Sequence, residues 1–204
     1  YRIQSRAFDL VDSGGDDTAI VSVSFAKLPL FVENVTYIDG AQALPYWIDA
    51  MLPEDAAGDH YLQLLTDART FQYTFPPTAP QYLTDVQDSF EYLPFNNAQK
   101  NFARLALNYI ASVLDLGFEE VTESAAPNTI AFANNAQYYS AAYAYFPSDS
   151  FVGSDIFLDS LTPGNLAPSA TGCSALTLIH ELGHGLGLEH PGADLGEPPH
   201  LPAS

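Results

Sequence analysis

The stretch HELGHGLGLEHPG, residues 180–192, places three histidines and one glutamate at spacings that suit a metal ion. On a helix, residues four apart project from the same face, so His180 and His184 can bind one cation through their imidazoles. Glu181 follows the first histidine and is placed to act as a general base beside the metal. Gly187 allows a sharp turn that returns His190 as a third ligand. Three nitrogen ligands leave one position open, which is typical of a catalytic zinc site.

The pattern is specific enough to disfavour a purely structural role for these histidines. At the frequencies of His, Glu and Gly in this chain, five fixed letters at these spacings arise by chance on the order of once in 10⁵ chains. Two histidines four residues apart would be much weaker evidence, because such a pair more often lies on the surface of a helix.

Composition limits the partners that the chain can have. Its 204 residues are 47% hydrophobic, which is enough for one good core. Six Lys and Arg against 25 Asp and Glu give a net charge of −19, which repels phosphate backbones and anionic lipids. We therefore expect no nucleic-acid partner, and no membrane insertion because no apolar run is long enough. Cys173 is the one cysteine, and we interpret it as a small buried apolar residue.

Periodicity predicts two helices and a set of short strands. The clearest helix is predicted at 96–117, with Asn96 or Asn97 as its cap and Gly117 as its end. Its apolar positions recur every three or four residues, at Phe102, Leu105, Ala106, Tyr109, Ile110, Val113 and Leu114. A second helix is predicted at 168–188, with a cap at Ser169 or Thr171 and an end at Gly185 and Gly187. Strands are predicted at 18–25, 70–76, 118–123, 129–134, 140–147 and 155–160, and a short helix at 44–52. This succession indicates an α/β or α+β sheet with a helix packed on one face.

The motif resembles that of a known family. His180-Glu181-x-x-His184-x-x-Gly187-x-x-His190 is the signature of the metzincin zinc endopeptidases, and Pro191–Gly192 after it is similar to the serralysins, which are secreted bacterial metalloproteases. The segments FQYTFP, NTIAFANN and AYAYFP and the long helix stand in the serralysin order, so that the resemblance covers about residues 66–200.

The resemblance implies a metzincin-type α+β fold. This fold has a twisted, mostly parallel five-stranded sheet with an antiparallel edge strand, one long backing helix and one zinc-binding active-site helix. The implied division places an N-terminal extension of unassigned role at 1–65, the upper subdomain with the active-site helix at 66–187, and the start of the lower subdomain at 188–204.

The resemblance also implies a function and its site residues. It implies a secreted, extracellular and bacterial zinc endopeptidase, with one catalytic Zn²⁺ on the three histidines and Glu181 as the general base. The edge strand, about Ala141 to Phe146, would run antiparallel to a bound protein or peptide substrate. Its predicted substrate-binding residues are Ala142, Tyr143, Ala144 and Tyr145, although AAYAYF alone also fits an ordinary alternating strand. Calcium is expected mainly in a C-terminal region of the family.

One feature of the family pattern is not found in its usual place. The family has a Met-containing turn downstream of the third histidine, whereas the single methionine, Met51, lies far upstream and is interpreted as a packing residue. We therefore expect either a second polypeptide that supplies this turn, or a catalytically incomplete fragment that binds peptides or a partner. A metal-buffering role is disfavoured because one three-histidine site stores little metal. His60 and His200 are interpreted as solvated residues.

Overall fold

The protein is described by a computed structural model over residues 1–4, 14–22, 32–45, 48, 51–52, 69–123, 126–169 and 172–190. The chain divides into two compact units, one comprising Tyr1–Leu62 together with Gly187–Ser204 and the other spanning Gln63–Leu186. Within the described ranges, none of the helices has the length and apolarity that a bilayer crossing requires. The predictions for His60 and His200 fall outside these ranges.

The N-terminal unit contains a small parallel sheet with the strand order β1-β2-β3. The strands span Arg2–Ile3, Thr18–Val21 and Asn34–Tyr37. Burial alternates along β2, where Ala19 and Val21 are buried and Ile20 is exposed, as expected for a strand with one face on a core. The predicted strand at 18–25 is confirmed for Thr18–Val21, and residues 23–25 lie outside the described ranges.

Two turns lie within the short helix predicted at 44–52. The Ile48 N–H donates to the carbonyl of Pro45, and the Met51 N–H donates to the carbonyl of Ile48, both at 3.0 Å. Residues 46, 47, 49 and 50 of that predicted helix lie outside the described ranges.

The described residues of the second unit form an α+β arrangement of six strands and four helices. Its strands are β4 Thr70–Thr74, β5 Leu93–Pro94, β6 Gly117–Glu120, β7 Ile130–Asn135, β8 Ala142–Ala144 and β9 Ile156–Asp159. Its helices are α1 Val86–Ser89, α2 Asn97–Val113, α3 Pro163–Leu166 and α4 Cys173–Gly185. The strands predicted at 70–76, 118–123, 129–134, 140–147 and 155–160 correspond to β4, β6, β7, β8 and β9.

The sheet topology confirms the predicted fold class. Five strands follow the order β6-β4-β7-β9-β8, and β4, β6, β7 and β9 are joined by parallel pairing. Strand β8 pairs antiparallel with β9 at the end of this path, which is the predicted antiparallel edge. The two-residue strand β5, which pairs antiparallel with β7, was not predicted because it is too short to show an alternating pattern.

Helix α2 is the predicted long helix, with two corrections. The Asn96 side chain accepts from the N–H groups of Ala98 and Gln99, and the Gln99 side chain accepts from the Asn96 N–H, which completes a capping box. The helix stops at Val113, and Gly117 begins β6 instead of ending the helix.

The second correction concerns the face of α2 that packs on the sheet. Ala103, Ala106 and Leu107 are buried, with Phe102 and Ile110 packed beside them. The four other large apolar residues of the predicted face are exposed, namely Leu105, Tyr109, Val113 and Leu114. The sequence repeat is broader than the stripe that contacts the core, so periodicity overestimates the buried face.

Helix α4 is shorter than predicted and begins differently. Its N-cap is Gly172, which has no side chain to cap with, so Ser169 does not cap the helix, and Thr171 lies outside the described residues. Cys173 is exposed, so its interpretation as a buried residue is wrong. The buried positions Ala175 and Leu178 lie on the opposite side of the first turns, which explains why Cys173 faces solvent.

Candidate metal centre

Helix α4 is fixed to the sheet by its apolar face. Leu178 and Leu182 are 1% and 0% exposed, and both belong to the core cluster that also contains Ile156 and Leu158 of β9. Gly185 allows a close approach, because a Cβ there would lie 3.2 Å from the carbonyl oxygen of Ser154. These contacts hold the rest of the helix in a defined rotation.

That rotation brings His180 and His184 together on a different face. Their Nε2 atoms are 3.1 Å apart, and the rings are nearly perpendicular, with centroids 4.7 Å apart. Two nitrogens that bind one Zn²⁺ at about 2.0 Å in tetrahedral geometry are separated by about 3.3 Å. The observed separation therefore fits two ligands of one ion.

The chain then turns at Gly187 and brings in His190. The Leu186 N–H donates to the carbonyls of Leu182 and Gly183 and closes α4. Gly187 follows with φ +99°, a conformation that favours glycine. Ligand atoms of His180, His184 and His190 all lie within 4.8 Å of one another. The Glu189 N–H donates to the carbonyl of Met51 at 2.8 Å, which fixes the backbone beside His190.

This donor set fits Zn²⁺. Neutral imidazole nitrogen is a preferred zinc ligand, and three such ligands leave a fourth position for water or substrate. His180 and His190 are exposed and His184 is half-buried, so a solvent molecule can reach the point that they share.

Glu181 lies beside these ligands in a less polar environment. Its side chain is 6% exposed, and burial raises the pKa of its carboxyl to about 7. A carboxyl with a pKa near neutrality can both accept and return a proton under ordinary conditions. The Glu181 side chain borders a cavity of about 340 Å³. The other residues that line this cavity are Ala141, Ala142, Leu176, Thr177 and His180.

Strand β8 forms the opposite wall of this cavity. Ala142 and Ala144 pack against the core cluster that includes Leu178 and Leu182, which places both alanines on the α4 side of the sheet. Phe146 lies two residues after Ala144 and is directed to the same side. Its ring contacts that of His184 edge to face, with the centroids 5.6 Å apart. Sequence reasoning missed Phe146 as a neighbour of a ligand, although its alternation with Ala142 and Ala144 carries the signal.

The pairing of β8 with β9 defines which main-chain groups face outward. The Tyr145 N–H donates to the carbonyl of Asp155 at 3.0 Å, and the Asp159 N–H donates to the carbonyl of Ala141 at 2.9 Å. Along an antiparallel pair, every second residue exchanges hydrogen bonds with the neighbouring strand, so Tyr143 is the residue of β8 whose main-chain groups bond to β9. The main-chain groups of Ala142 and Ala144 therefore point away from β9.

Tyr143 of β8 and Tyr145, the residue after the strand, project from the other face of the sheet. Tyr143 and Tyr145 pack with Phe157 in a separate cluster, and both hydroxyls donate to the buried carboxylate of Asp88. Burial, and then the hydrogen bond to Asp88, raises the pKa of both tyrosine hydroxyls. Of the four residues predicted to bind substrate, the alanines thus turn their main-chain groups away from β9, whereas the tyrosines direct their hydroxyls to the buried Asp88.

Comparison with known proteins agrees with this geometry. The chain is similar to the serralysin of Photorhabdus laumondii subsp. laumondii, with 29% identity over 198 residues, or 83% of this chain and 40% of the relative. It is 32% identical over 135 residues to the serralysin of Photorhabdus sp. (strain Az29), covering 62% of this chain and 27% of that protein. Metallopeptidase AprA of Pseudomonas marginalis is 33% identical over 126 residues, 59% of this chain and 26% of the relative.

The chain is thus similar in sequence to serralysins and to metallopeptidase AprA, as its motif indicated. No protein-family model matches it. The chain spans 40% or less of the length of these three curated relatives.

Proposed function

We propose that the chain provides the catalytic site of a zinc-dependent endopeptidase. The observation that carries this proposal is the set of three histidines with ligand atoms within 4.8 Å of one another. They lie beside a buried glutamate and near strand β8, which pairs among the described strands with β9 alone. The serralysins and metallopeptidase AprA to which the chain is similar support the same reaction class.

In this proposal, His180, His184 and His190 hold the zinc ion through neutral imidazole nitrogens. Bound Zn²⁺ supplies Lewis acidity, which polarises a peptide carbonyl and acidifies water. His180 and His184 lie on α4, whose apolar face packs on the sheet, so the protein holds these two ligands in place before substrate arrives.

Glu181 acts as the general base and then as the general acid. Its carboxylate takes a proton from the water that attacks the peptide carbonyl, and it later returns that proton to the leaving amine. Burial supports this role because it raises the pKa of Glu181 and so strengthens the carboxylate as a proton acceptor. The cavity next to Glu181 gives the reacting peptide bond room beside the carboxylate.

Strand β8 binds the substrate backbone. An extended peptide that runs antiparallel to β8 can exchange hydrogen bonds with the outward main-chain groups of Ala142 and Ala144. Because the two methyl side chains occupy little space, the strand itself restricts the substrate sequence only weakly. We therefore propose broad cleavage of protein and peptide substrates.

A Glu181→Gln variant tests the mechanism, with Glu119→Gln on the opposite edge strand as the matched control. Hydrolysis of a fluorogenic casein-derived peptide is measured with zinc, after chelation and after zinc is restored. Glu181→Gln should bind zinc like the wild type but cleave about 10²–10⁴-fold more slowly. Glu119→Gln should cleave normally. Chelator-resistant cleavage by the wild type, or full activity of Glu181→Gln, contradicts the proposal.

A second candidate function is peptide or partner binding without turnover. The outward backbone of β8 supports it, because strand addition requires hydrogen-bonding groups and no metal. Peptide binding by zinc-loaded protein that produces no cleavage products distinguishes this function from the first. Native mass measurement on material from the source tests whether a second polypeptide accompanies the chain, and metal analysis of the same sample tests for zinc and calcium.

An extracellular location is also part of the proposal. A net charge of −19 suits a protein that must stay soluble outside the cell. Immunodetection of the native protein in cell pellet and culture medium tests it, and recovery from the pellet alone contradicts it.

A further inference from the structure

A buried carboxylate lies behind the strand that is proposed to bind substrate. Asp88, in the short helix α1, is 3% exposed. Its Oδ1 accepts hydrogen bonds from the hydroxyls of Tyr143 and Tyr145, both at 2.9 Å, and its Oδ2 lies 3.0 Å from the Tyr145 hydroxyl. Hydrogen bonds to a charged acceptor are stronger than those between neutral groups.

Both hydroxyls belong to side chains of β8 or of the residue after it. The strand has three residues, and its described pairing is with β9 on one side. A strand of this length makes few ladder hydrogen bonds, so its position depends on its side chains. Asp88 is 55 and 57 residues away from the two tyrosines in sequence, and it connects the edge strand to a separate part of the fold.

Other contacts extend this connection into the sheet. The Asn135 side chain of β7 donates to the Tyr143 hydroxyl at 2.7 Å and to the carbonyl of Gln87 at 3.0 Å. The Tyr143 ring stacks on Phe157 of β9 with centroids 5.1 Å apart. Helix α1 and strands β7, β8 and β9 are thus joined around the Asp88 carboxylate.

We infer that Asp88 is a positioning residue for peptide binding at β8, a role that rests on the proposed function. Alternation along the strand makes the tyrosine side chains and the α4-facing alanines parts of one rigid ribbon. When Asp88 holds the tyrosines on one face, it fixes the distance from the outward backbone of Ala142 and Ala144 to the histidines of α4. A peptide then meets an edge that is already ordered, so less conformational entropy is lost on binding.

This role predicts a graded response to substitution. Asp88→Ala removes the acceptor of two half-buried hydroxyls, and we expect KM for an extended peptide to rise about tenfold, the equivalent of losing one hydrogen bond to a charged group. Asp88→Asn keeps one oxygen that both hydroxyls can reach, so its KM should rise less than that of Asp88→Ala. Zinc affinity and kcat should stay within about twofold of wild type, because α4 and its core contacts are unchanged.

The experiment measures KM, kcat and zinc affinity on the full chain loaded with zinc. Asp115→Asn is the matched control, since its carboxylate is 89% exposed and pairs at the surface with Arg69. Tyr145→Phe removes a single hydroxyl and provides a milder variant if Asp88→Ala does not fold. An unchanged KM in a folded Asp88→Ala or Tyr145→Phe variant overturns the inference. Equal losses of zinc affinity and kcat also overturn it, because they indicate a general structural role.

Hydrogen exchange separates this inference from the proposed function. In the wild type, the amides of Tyr143 and Tyr145 should exchange slowly, and Asp88→Ala should accelerate both while leaving the amides of Leu178 and Leu182 in α4 protected. If the wild type cleaves no peptide, the proposed function fails, and exchange still reports whether Asp88 holds the strand. If exchange at β8 is the same in both proteins, the positioning role fails whether or not the chain is a protease.

Discussion

Replacing Gly187 with alanine tests whether the turn after α4 places His190 at the metal centre. Gly187 has φ +99° and lies between the end of the helix and the third histidine. An L-residue in a left-handed conformation costs about 1–2 kcal/mol. Without metal, the variant can relax this strain by moving His190 away. Zinc binding must then restore the strained turn, so the zinc affinity should fall by a factor of about 5–30.

Gly40 provides the matched control for this substitution. It has φ +81°, and an added Cβ there has no described atom within 4 Å, so Gly40→Ala introduces a comparable backbone strain at the turn after β3. Zinc affinity is measured by competition with a chromophoric chelator, and stability by urea unfolding of the metal-free proteins. Only Gly187→Ala should lose zinc affinity. Wild-type affinity in Gly187→Ala, or an equal loss in Gly40→Ala, refutes the reasoning.

Further predictions concern the stability of the fold that holds the site. Leu178→Ala should lower the free energy of unfolding in urea by about 2–5 kcal/mol, because a 1%-exposed core side chain is lost. Leu176→Ala, at 70% exposure, should change it by at most about 0.5 kcal/mol, and equal effects would contradict the assigned helix face. Gln99→Ala breaks the capping box of α2 and removes the donor that lies 2.6 Å from the Asn134 side chain, so thermal unfolding should show a loss of about 1–3 kcal/mol. Burial raises the pKa of Asp155 well above its usual range, so its contribution to stability is present below the unfolded pKa and is lost as pH rises toward the folded pKa. Asp155→Asn should therefore gain stability relative to wild type between about pH 4 and pH 7 in urea titrations, and a constant difference would contradict this.

The clustering of the three histidines was predictable because its determinants are local. His180, His184, Gly187 and His190 lie within eleven consecutive residues, and helical geometry with one turn is enough to bring their side chains together. Strand β8 was predictable for a similar reason, since alternation in AAYAYF indicates a strand directly, whereas its position at the edge followed from the family resemblance. The long helix was found through its cap at Asn96, a signal that also depends on neighbouring residues alone.

The support behind the site was not predictable from the sequence. Asp88 lies in a polar stretch that resembles an ordinary surface turn, and its burial depends on tyrosines more than fifty residues away. The exposure of Leu105 and Tyr109 on α2 was not predicted for a related reason: both continue the apolar repeat, but they lie on sides of the helix that face away from its buried residues. Periodicity indicates on which face of its own helix or strand a residue lies. It contains no information about which other helix or strand packs against that face.

The shortness of β8 has a consequence for how the protein behaves at high concentration. An uncovered strand edge is a template for pairing between identical molecules, and long flat edges lead to aggregation. Here the strand ends at Ala144, and Pro147 follows three residues later without an N–H to offer a growing ladder. On the other face of the sheet, the hydroxyls of Tyr143 and Tyr145 already donate hydrogen bonds to Asp88. The strand is therefore too short to form the long ladder of hydrogen bonds that would start a fibril of identical chains. The same few residues are enough to bind a short extended peptide.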